Sequence, residues 1–292
     1  MDLYRLEGPY CREGGGRLVA PTLVAAMDSW VDAGSASTTA AEIIAAGGQV
    51  VAVFDGDLIF DYRARRPTLE IVDGRPTKLT WPQLVVRHAQ VGGRDLLVLT
   101  GAEPDYRWQA FADNAVDLAR RLGVMEWISL GSIPAAVPHT RPINILGTES
   151  RPGLLRGHVA PGPEGVLRVP AAAITVLDYA VSRAGIPTVG YYAQVPHYVS
   201  GLYPAAAVEL LRLVGLHLDH VFPSAELHEQ ARQLAVRLDA AAAADETTKA
   251  YVERLESMVD EARLPAGDDL IAEIERFLRE RSGGGSEGGQ RS

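Results

Sequence analysis

The feature that most constrains the fold is an alternation of strand-like and helix-like segments along the first two thirds of the chain. Three strand-like runs are nearly continuous in apolar residues: RLVAPTLVAAM at 17–27, QVVAVF at 49–54 and DLLVLTG at 95–101. Runs of this kind are typical of strands that are covered on both faces. Because helical segments separate them, the sequence predicts an α/β fold with a mostly parallel sheet and helices on both faces.

A β-hairpin is predicted in the segment TLEIVDGRPTKLT at 68–80. The dipeptide Asp73-Gly74 lies between two runs rich in β-forming residues, and Asp-Gly is a preferred turn sequence of two-residue hairpin loops. A hairpin is antiparallel, so we expect the sheet to be mixed.

The character of the chain changes after residue 222. Between residues 224 and 281 there is no strand pattern, and apolar residues recur at helical spacing in three separate stripes, at 227–238, 251–262 and 271–278. The sequence therefore predicts a core domain at 1–222, a helical C-terminal extension at 223–281 and a flexible tail at 282–292. Residues 224–281 carry 14 acidic and 8 basic residues, and so hold most of the net charge of −9. Such an acidic arm packs either on its own core or on a partner protein.

Charge and hydropathy exclude several classes of function. A net charge of −9 opposes binding to nucleic acid or to an anionic membrane surface. The apolar runs are shorter than the ~20 residues that a membrane-spanning helix needs. Cys11 is the only cysteine, so an intrachain disulfide or a multi-cysteine zinc site is excluded. No signal-peptide pattern is found near residue 1, and we expect a cytoplasmic protein that contacts neither nucleic acid nor membrane.

Polar side chains are concentrated in the loops that follow the predicted strands, where ligands of open α/β sheets bind. The candidate residues are Asp28, Asp32, Asp57, Asp61, Arg63, Arg66, Glu103, Arg107, Trp108, His139, Thr140, Arg141, His197 and Tyr198. The carboxylates and histidines could act as acids and bases, and the arginines could hold a phosphate or carboxylate. Equally, these groups could pair with one another across neighbouring loops, or meet across an interface between subunits.

No diagnostic catalytic or cofactor motif accompanies these residues. The chain has no GxxxxGK[ST] or HExxH sequence, and the spacings GxGxxG and GxSxG occur only in the Gly-rich tail at 283–288, which follows no predicted strand. A metal site needs three or more convergent ligands, whereas His139 and His197 are each isolated in sequence. We therefore assign no catalytic residue, no cofactor and no metal, and whether the protein is an enzyme stays open, with the balance against it.

Six loop segments, taken in order, resemble a known family. They are DSWVDAG at 28–34, DGDLIFDYRARRP at 55–67, LTWPQL at 79–84, TGAEPDYRW at 100–108, LGSIPAAVPHTRP at 130–142 and AQVPHYVSGLYPAAA at 193–207. The chain resembles the proteasome-assembly-chaperone family of the second type, in its actinobacterial branch. The resemblance extends over roughly residues 18–279, which is nearly the whole chain.

The resemblance implies a three-layer α/β/α core, similar to the phosphorylase/hydrolase fold, with a helical C-terminal extension. It also implies a homo-oligomer, with a trimer as the working expectation. The function it implies is that of a chaperone-like or adaptor protein that binds protein partners, with proteasome subunits among the candidates, and it brings no catalytic residues. The alternative is a phosphorylase/hydrolase-like enzyme, or a protein that binds a nucleoside or anion through the polar loops at the sheet edge.

Overall fold

The structure is a computed structural model that describes residues 2–11, 16, 18–163 and 165–263. Two compact units are present, the first covering Met1–Ala241 and the second beginning at Ala242. The strands of the described chain are β1 (Tyr4–Leu6), β2 (Thr22–Asp28), β3 (Gln49–Phe54), β4 (Thr68–Val72), β5 (Arg75–Thr80), β6 (Leu84–Val91), β7 (Arg94–Ala102), β8 (Glu126–Ala135), β9 (Ile145–Glu149) and β10 (Thr188–Pro196).

Helices connect most of these strands and form the C-terminal part of the described chain. They are α1 (Ala36–Ile44), α2 (Gly56–Ile59), α3 (Trp108–Arg121), α4 (Ala173–Arg183), α5 (Pro204–Leu218), α6 (Ala225–Ala243) and α7 (Glu246–Arg263). Short 3₁₀ turns lie at Gly8–Cys11 and Ala33–Ser35. Among all the described residues, no helix is both long and apolar enough to cross a membrane.

The main sheet has eight strands in the order β1-β3-β6-β7-β2-β8-β10-β9. The neighbouring strands β7, β2, β8 and β10 run parallel to one another and form three parallel pairs. The remaining four pairs of neighbouring strands in the described sheet are antiparallel. The α/β class and the mixed sheet are confirmed, but only the centre of the sheet is parallel. One reason is the two-residue turn Gly92-Gly93, which joins β6 to β7 and is far too short for a parallel crossover.

The predicted hairpin is confirmed, with its turn at Asp73-Gly74, where both residues have positive φ. The two positive φ angles are those of the turn type that matches the twist of paired strands. However, β4 and β5 form a two-stranded sheet of their own. The expectation that this hairpin makes the main sheet mixed was therefore wrong, because β1, β3, β6 and β9 supply the antiparallel pairs.

Two helical layers cover the main sheet, as the three-layer prediction requires. Side chains alternate along β2, so Leu23, Ala25 and Met27 enter one core, and Val24 and Ala26 enter the other. Helices α3 and α4 pack together in the first core, and α1 and α5 in the second. The continuous apolar run of β2 follows directly from this burial on both faces.

The C-terminal helices agree in part with the three predicted apolar stripes. On α6, Leu227 is buried and Leu234 and Leu238 are partly buried against the core that contains α1 and α5. The apolar stripe of α6 therefore packs on its own chain. The second stripe falls on α7, which belongs to the second unit. The third stripe, at residues 271–278, and the tail at 282–292 lie outside the described residues.

Candidate functional site

The predicted loops meet at one edge of the sheet. Strands β2 and β7 end side by side, with Asp28 opposite Ala102, and β8 and β10 end side by side, with Ala135 opposite Pro196. Strand β3 is antiparallel to β6, which is antiparallel to β7, so β3 ends at this edge as well. The loops after all five strands therefore lie at the edge where ligands of α/β sheets bind.

A cluster of opposite charges forms between the loops after β2, β3 and β7. The guanidinium of Arg65 lies 3.4 Å from Asp105 Oδ1 and 3.8 Å from Asp28 Oδ2. Glu103 lies close enough for Arg65, Asp105 and Asp28 to influence its pKa. The sequence pointed to the neighbouring Arg63 and Arg66 instead, but both are exposed, whereas the side chain of Arg65 is only 26% exposed.

Glu103 is buried and holds the start of α4. Its Oε1 accepts a hydrogen bond of 2.7 Å from the backbone N–H of Ala173, the first residue of the helix. The first N–H groups of a helix have no partner within the helix, and the positive end of its dipole favours a carboxylate there. Burial raises the pKa of Glu103, while the Ala173 N–H and the Arg65 guanidinium act in the opposite direction.

Asp32 performs the corresponding role at the start of α1. Its Oδ1 accepts hydrogen bonds from the backbone N–H and the hydroxyl of Ser37, at 2.9 and 2.6 Å. Its Oδ2 accepts from the hydroxyl of Thr38 at 2.5 Å. The carboxylate of Asp32 thus accepts hydrogen bonds from groups at the start of α1, and these internal donors occupy it in place of a ligand.

The acidic residues of the loop after β3 order that loop. Asp61 accepts from the backbone N–H of Arg63 at 2.9 Å, and this bond is the largest cause that lowers the pKa of Asp61. The backbone N–H of Asp61 donates to Asp105 Oδ2 at 2.8 Å, which ties this loop to the loop after β7. Asp57 accepts from the hydroxyl of Tyr62 at 2.9 Å.

Trp108 and Arg107 lie where the loop after β7 enters α3. The indole N–H of Trp108 donates to the carbonyl of Pro104 at 2.6 Å, which closes the loop on itself. Arg107 precedes the helix with a left-handed φ of 58°, and its side chain is exposed.

His139 belongs to a second cluster, after β8 and β10. Its ring is 2% exposed, with Nδ1 at 2.7 Å from the hydroxyl of Tyr198 and Nε2 at 3.2 Å from Asp239 Oδ1. The backbone N–H of His139 donates to the same hydroxyl at 2.8 Å. If Tyr198 donates to Nδ1, Nε2 carries the proton and donates to Asp239, so every polar atom of the ring is satisfied.

The other predicted residues of this part of the edge are more exposed. Thr140 is exposed and Arg141 half-buried in the loop that follows His139. His197 is exposed, and its Nδ1 lies 3.1 Å from the carbonyl oxygen of Ala135. Sequence reasoning missed Asp239, because α6 contributes it from 100 residues farther along the chain.

The predicted residues therefore share an edge but do not converge on one reaction centre. Asp32 holds α1, Glu103 holds α4 beside the Arg65 cluster, and His139 is enclosed by Tyr198 and Asp239. Within the described ranges, no group of three or more His, Cys, Asp or Glu residues is arranged to hold a metal ion. Asp32 and Glu103 thus act at the starts of helices, while the side chains of the predicted Arg63, Arg66 and Arg107 are exposed.

A sequence model of the PAC2 family matches residues 26–242. The chain belongs to the PAC2 family. This confirms the resemblance to the proteasome-assembly-chaperone family of the second type. No curated protein matches this PAC2 protein.

Solved structures of similar proteins place it among actinobacterial relatives. It is 35% identical to a PAC2 family protein from Streptomyces avermitilis, with a TM-score of 0.72 over 80% of this chain and 99% of the relative. A proteasome-assembly chaperone homologue from Mycobacterium tuberculosis is 33% identical, with a TM-score of 0.72 over 79% and 99% of the two chains. A protein of unknown function from Corynebacterium glutamicum is 30% identical, with a TM-score of 0.80 over 88% and 97%.

Proposed function

We propose that this PAC2 protein is an oligomeric, chaperone-like or adaptor protein that binds other proteins, with proteasome subunits as the first candidates. Membership of the family and the similarity to a proteasome-assembly chaperone homologue support the class of function. A single structural observation, the exposed apolar face of the β4–β5 hairpin, supports protein binding by this chain in particular.

Every residue of β4 and β5 is exposed, including the large apolar ones. Leu69 and Leu79 are directly opposite one another and are each 49% exposed, and Ile71, on the same face, is 60% exposed. The other face carries polar pairs, with Thr68 opposite Thr80, and Glu70 opposite Lys78. The face with Leu69, Ile71 and Leu79 is thus the more apolar one, and among the described residues none buries it.

The base of the hairpin connects it to the candidate site. Trp81 follows β5, and its ring packs edge-on against Tyr62, with the ring centroids 4.7 Å apart. Tyr62 in turn donates to Asp57 in the loop after β3. An isolated two-stranded hairpin is only marginally stable in water, and a partner that covers an apolar face supplies the missing burial. A contiguous exposed apolar surface of this kind is typical of a protein contact.

On this proposal the polar residues of the sheet edge shape the surface that carries the hairpin. The internal hydrogen bonds of Asp32, Glu103 and Asp61 fix the loops after β2, β7 and β3, and the exposed Arg63 and Arg66 lie next to the hairpin in sequence. Charged side chains around an apolar patch are usual at the rim of a protein interface.

The experiment is a pull-down and native mass measurement with proteasome α subunits, using the full chain. We expect homo-oligomers of the protein alone and a heteromeric complex when α subunits are added. Exclusive recovery of free protein at micromolar concentrations would contradict the proposal. The hairpin is tested by Leu69→Glu/Leu79→Glu, with Thr68→Glu/Thr80→Glu on the opposite face as the matched control.

A further inference from the structure

A cavity of about 590 Å³ lies at the carboxyl edge of the sheet, and neither the Arg65 cluster nor the His139 cluster contributes to its lining. Its walls are mainly apolar and include Trp30, Ile133, Leu146, Leu167 and Val169. None of the fourteen residues predicted from the sequence lines it. The volume is within the range of about 300–1,000 Å³ that is usual for small-molecule sites.

One carboxyl group lines this apolar cavity. Asp178 on α4 is the only Asp, Glu, Lys, Arg or His among the described lining residues. The hydroxyl of Ser129 donates to its Oδ1, and the hydroxyl of Tyr192 donates to its Oδ2 at 3.0 Å. Both donors are neutral and hold the carboxyl in a fixed position, while at least one acceptor site of the carboxylate remains.

Among the described residues, no cationic side chain balances the charge of Asp178. Its neighbours on β8 are Trp127 and Ser129, which do not titrate in the physiological range. From β10 it is faced by Tyr192, which remains neutral because burial raises its pKa well above the ordinary value. Burial likewise raises the pKa of Asp178 to about 7, and no charged side chain contributes to this value. An ionised carboxylate here lacks the counter-charge that a buried charge needs.

The missing counter-charge and the apolar walls define the chemistry of a ligand. An anion or a phosphate would meet a carboxylate and hydrocarbon, so the cavity does not suit the nucleotides or anions that the polar loops suggest. A protonated amine would supply the opposite charge, and an apolar chain attached to it would bury hydrocarbon against Leu146, Leu167 and Val169.

We propose that this cavity binds a primary amine with an apolar chain, with the ammonium group against Asp178 and the chain along the apolar walls. The ligand's ammonium group fills the remaining acceptor site of the carboxylate. Nothing in this assignment depends on the hairpin, so it stands apart from the proposed protein-binding function.

Binding of an ammonium group requires the ionised carboxylate, which gives the proposal a pH signature. Asp178 ionises around pH 7, whereas an alkylammonium group stays protonated up to about pH 10. The affinity for the amine therefore rises by about tenfold between pH 6 and pH 8. A neutral ligand that accepts a hydrogen bond from the protonated carboxyl would show the opposite trend.

The test is calorimetric titration of the full chain with octylamine, octanol and octanoate at pH 6 and pH 8. We expect octylamine to bind at least tenfold more tightly than the other two at pH 8. Asp178→Asn should abolish this preference, whereas Asp113→Asn, an exposed change on α3, should leave it intact. Leu167→Arg offers a second probe, because Leu167 is exposed at the cavity mouth and its replacement repels the amine without disturbing the core.

Three results would overturn the proposal: no binding of octylamine at either pH, equal affinities for octylamine and octanol, or an octylamine affinity that survives in both the Asp178 and the Leu167 variants. Melting curves of each variant show that it is folded before it is titrated. A failure here leaves the proposed protein-binding function unaffected, because the hairpin residues are not involved.

Discussion

The carboxylate of Glu103 and the backbone N–H of Ala173 are joined by a hydrogen bond of 2.7 Å. This contact links the loop after β7 to the first turn of α4 over a separation of 70 residues. The residue that looked most like a buried catalytic acid is therefore engaged in holding two elements together.

Glu103→Ala should destabilise the fold by about 1–3 kcal/mol, because the N–H of Ala173 is left buried without an acceptor. Glu103→Gln retains an amide oxygen as acceptor and should keep most of the stability. Chemical denaturation of both variants measures the difference. If both variants lost the same free energy of unfolding, the hydrogen bond to Ala173 would not be the source of the stabilisation.

The stability difference between wild type and Glu103→Gln should also depend on pH. The pKa of Glu103 is raised in the folded state, so its contribution to stability is present below pH 4.5 and is lost as the pH rises through the folded-state pKa. Wild type should therefore lose stability relative to Glu103→Gln between pH 4 and pH 7. Denaturation at the two pH values measures this, and a constant difference would contradict it.

Asp32 should behave as a helix cap. Asp32→Ala removes the acceptor of the Ser37 N–H and hydroxyl and of the Thr38 hydroxyl, and we expect a loss of about 2 kcal/mol. Asp32→Asn keeps a good capping side chain and should lose clearly less. Thermal unfolding ranks the three proteins, and an Ala variant as stable as wild type would rule out the cap.

Arg65 should matter little for stability in spite of its central position. Its ion pairs with Asp105 and Asp28 are long, and the side chain of Asp28 is 77% exposed to water. Such pairs contribute at most about 1 kcal/mol. Arg65→Gln should therefore unfold at nearly the same denaturant concentration as wild type, with Arg5→Gln as the control for loss of an exposed ion pair. A loss of several kcal/mol would show that Arg65 does more than neutralise this cluster.

Much of the fold follows from patterns that are local in sequence. The apolar runs of β2, β3 and β7 and the turn at Asp73-Gly74 are each encoded within a few residues, and all are found in the structure. Strands β1 and β9 were missed because they have only three and five residues. Strand β6 was missed because Arg87, His88 and Gln90 interrupt the apolar run in its sequence, LVVRHAQV.

The candidate site is harder to predict because its contacts join distant residues. That the loops share an edge follows from the strand directions, which the alternating pattern supplies. The conformation of the loop decides which arginine of the RARR segment at 63–66 lies beside Asp105. The sequence alone does not indicate that Arg65, and not Arg63, makes this contact. Asp178 lies within an ordinary amphipathic helix, and only the packing of α4 on β8 and β10 reveals it as a buried carboxyl group.

The central claim is that the exposed face of the hairpin binds a protein partner. Native mass spectrometry of the full chain mixed with proteasome α subunits tests it most directly, comparing wild type, Leu69→Glu/Leu79→Glu and Thr68→Glu/Thr80→Glu. We predict a heteromeric complex for wild type and for the threonine variant, and at least a tenfold smaller complexed fraction for the leucine variant. Equal complex formation by all three proteins, or no complex with wild type, would contradict the account.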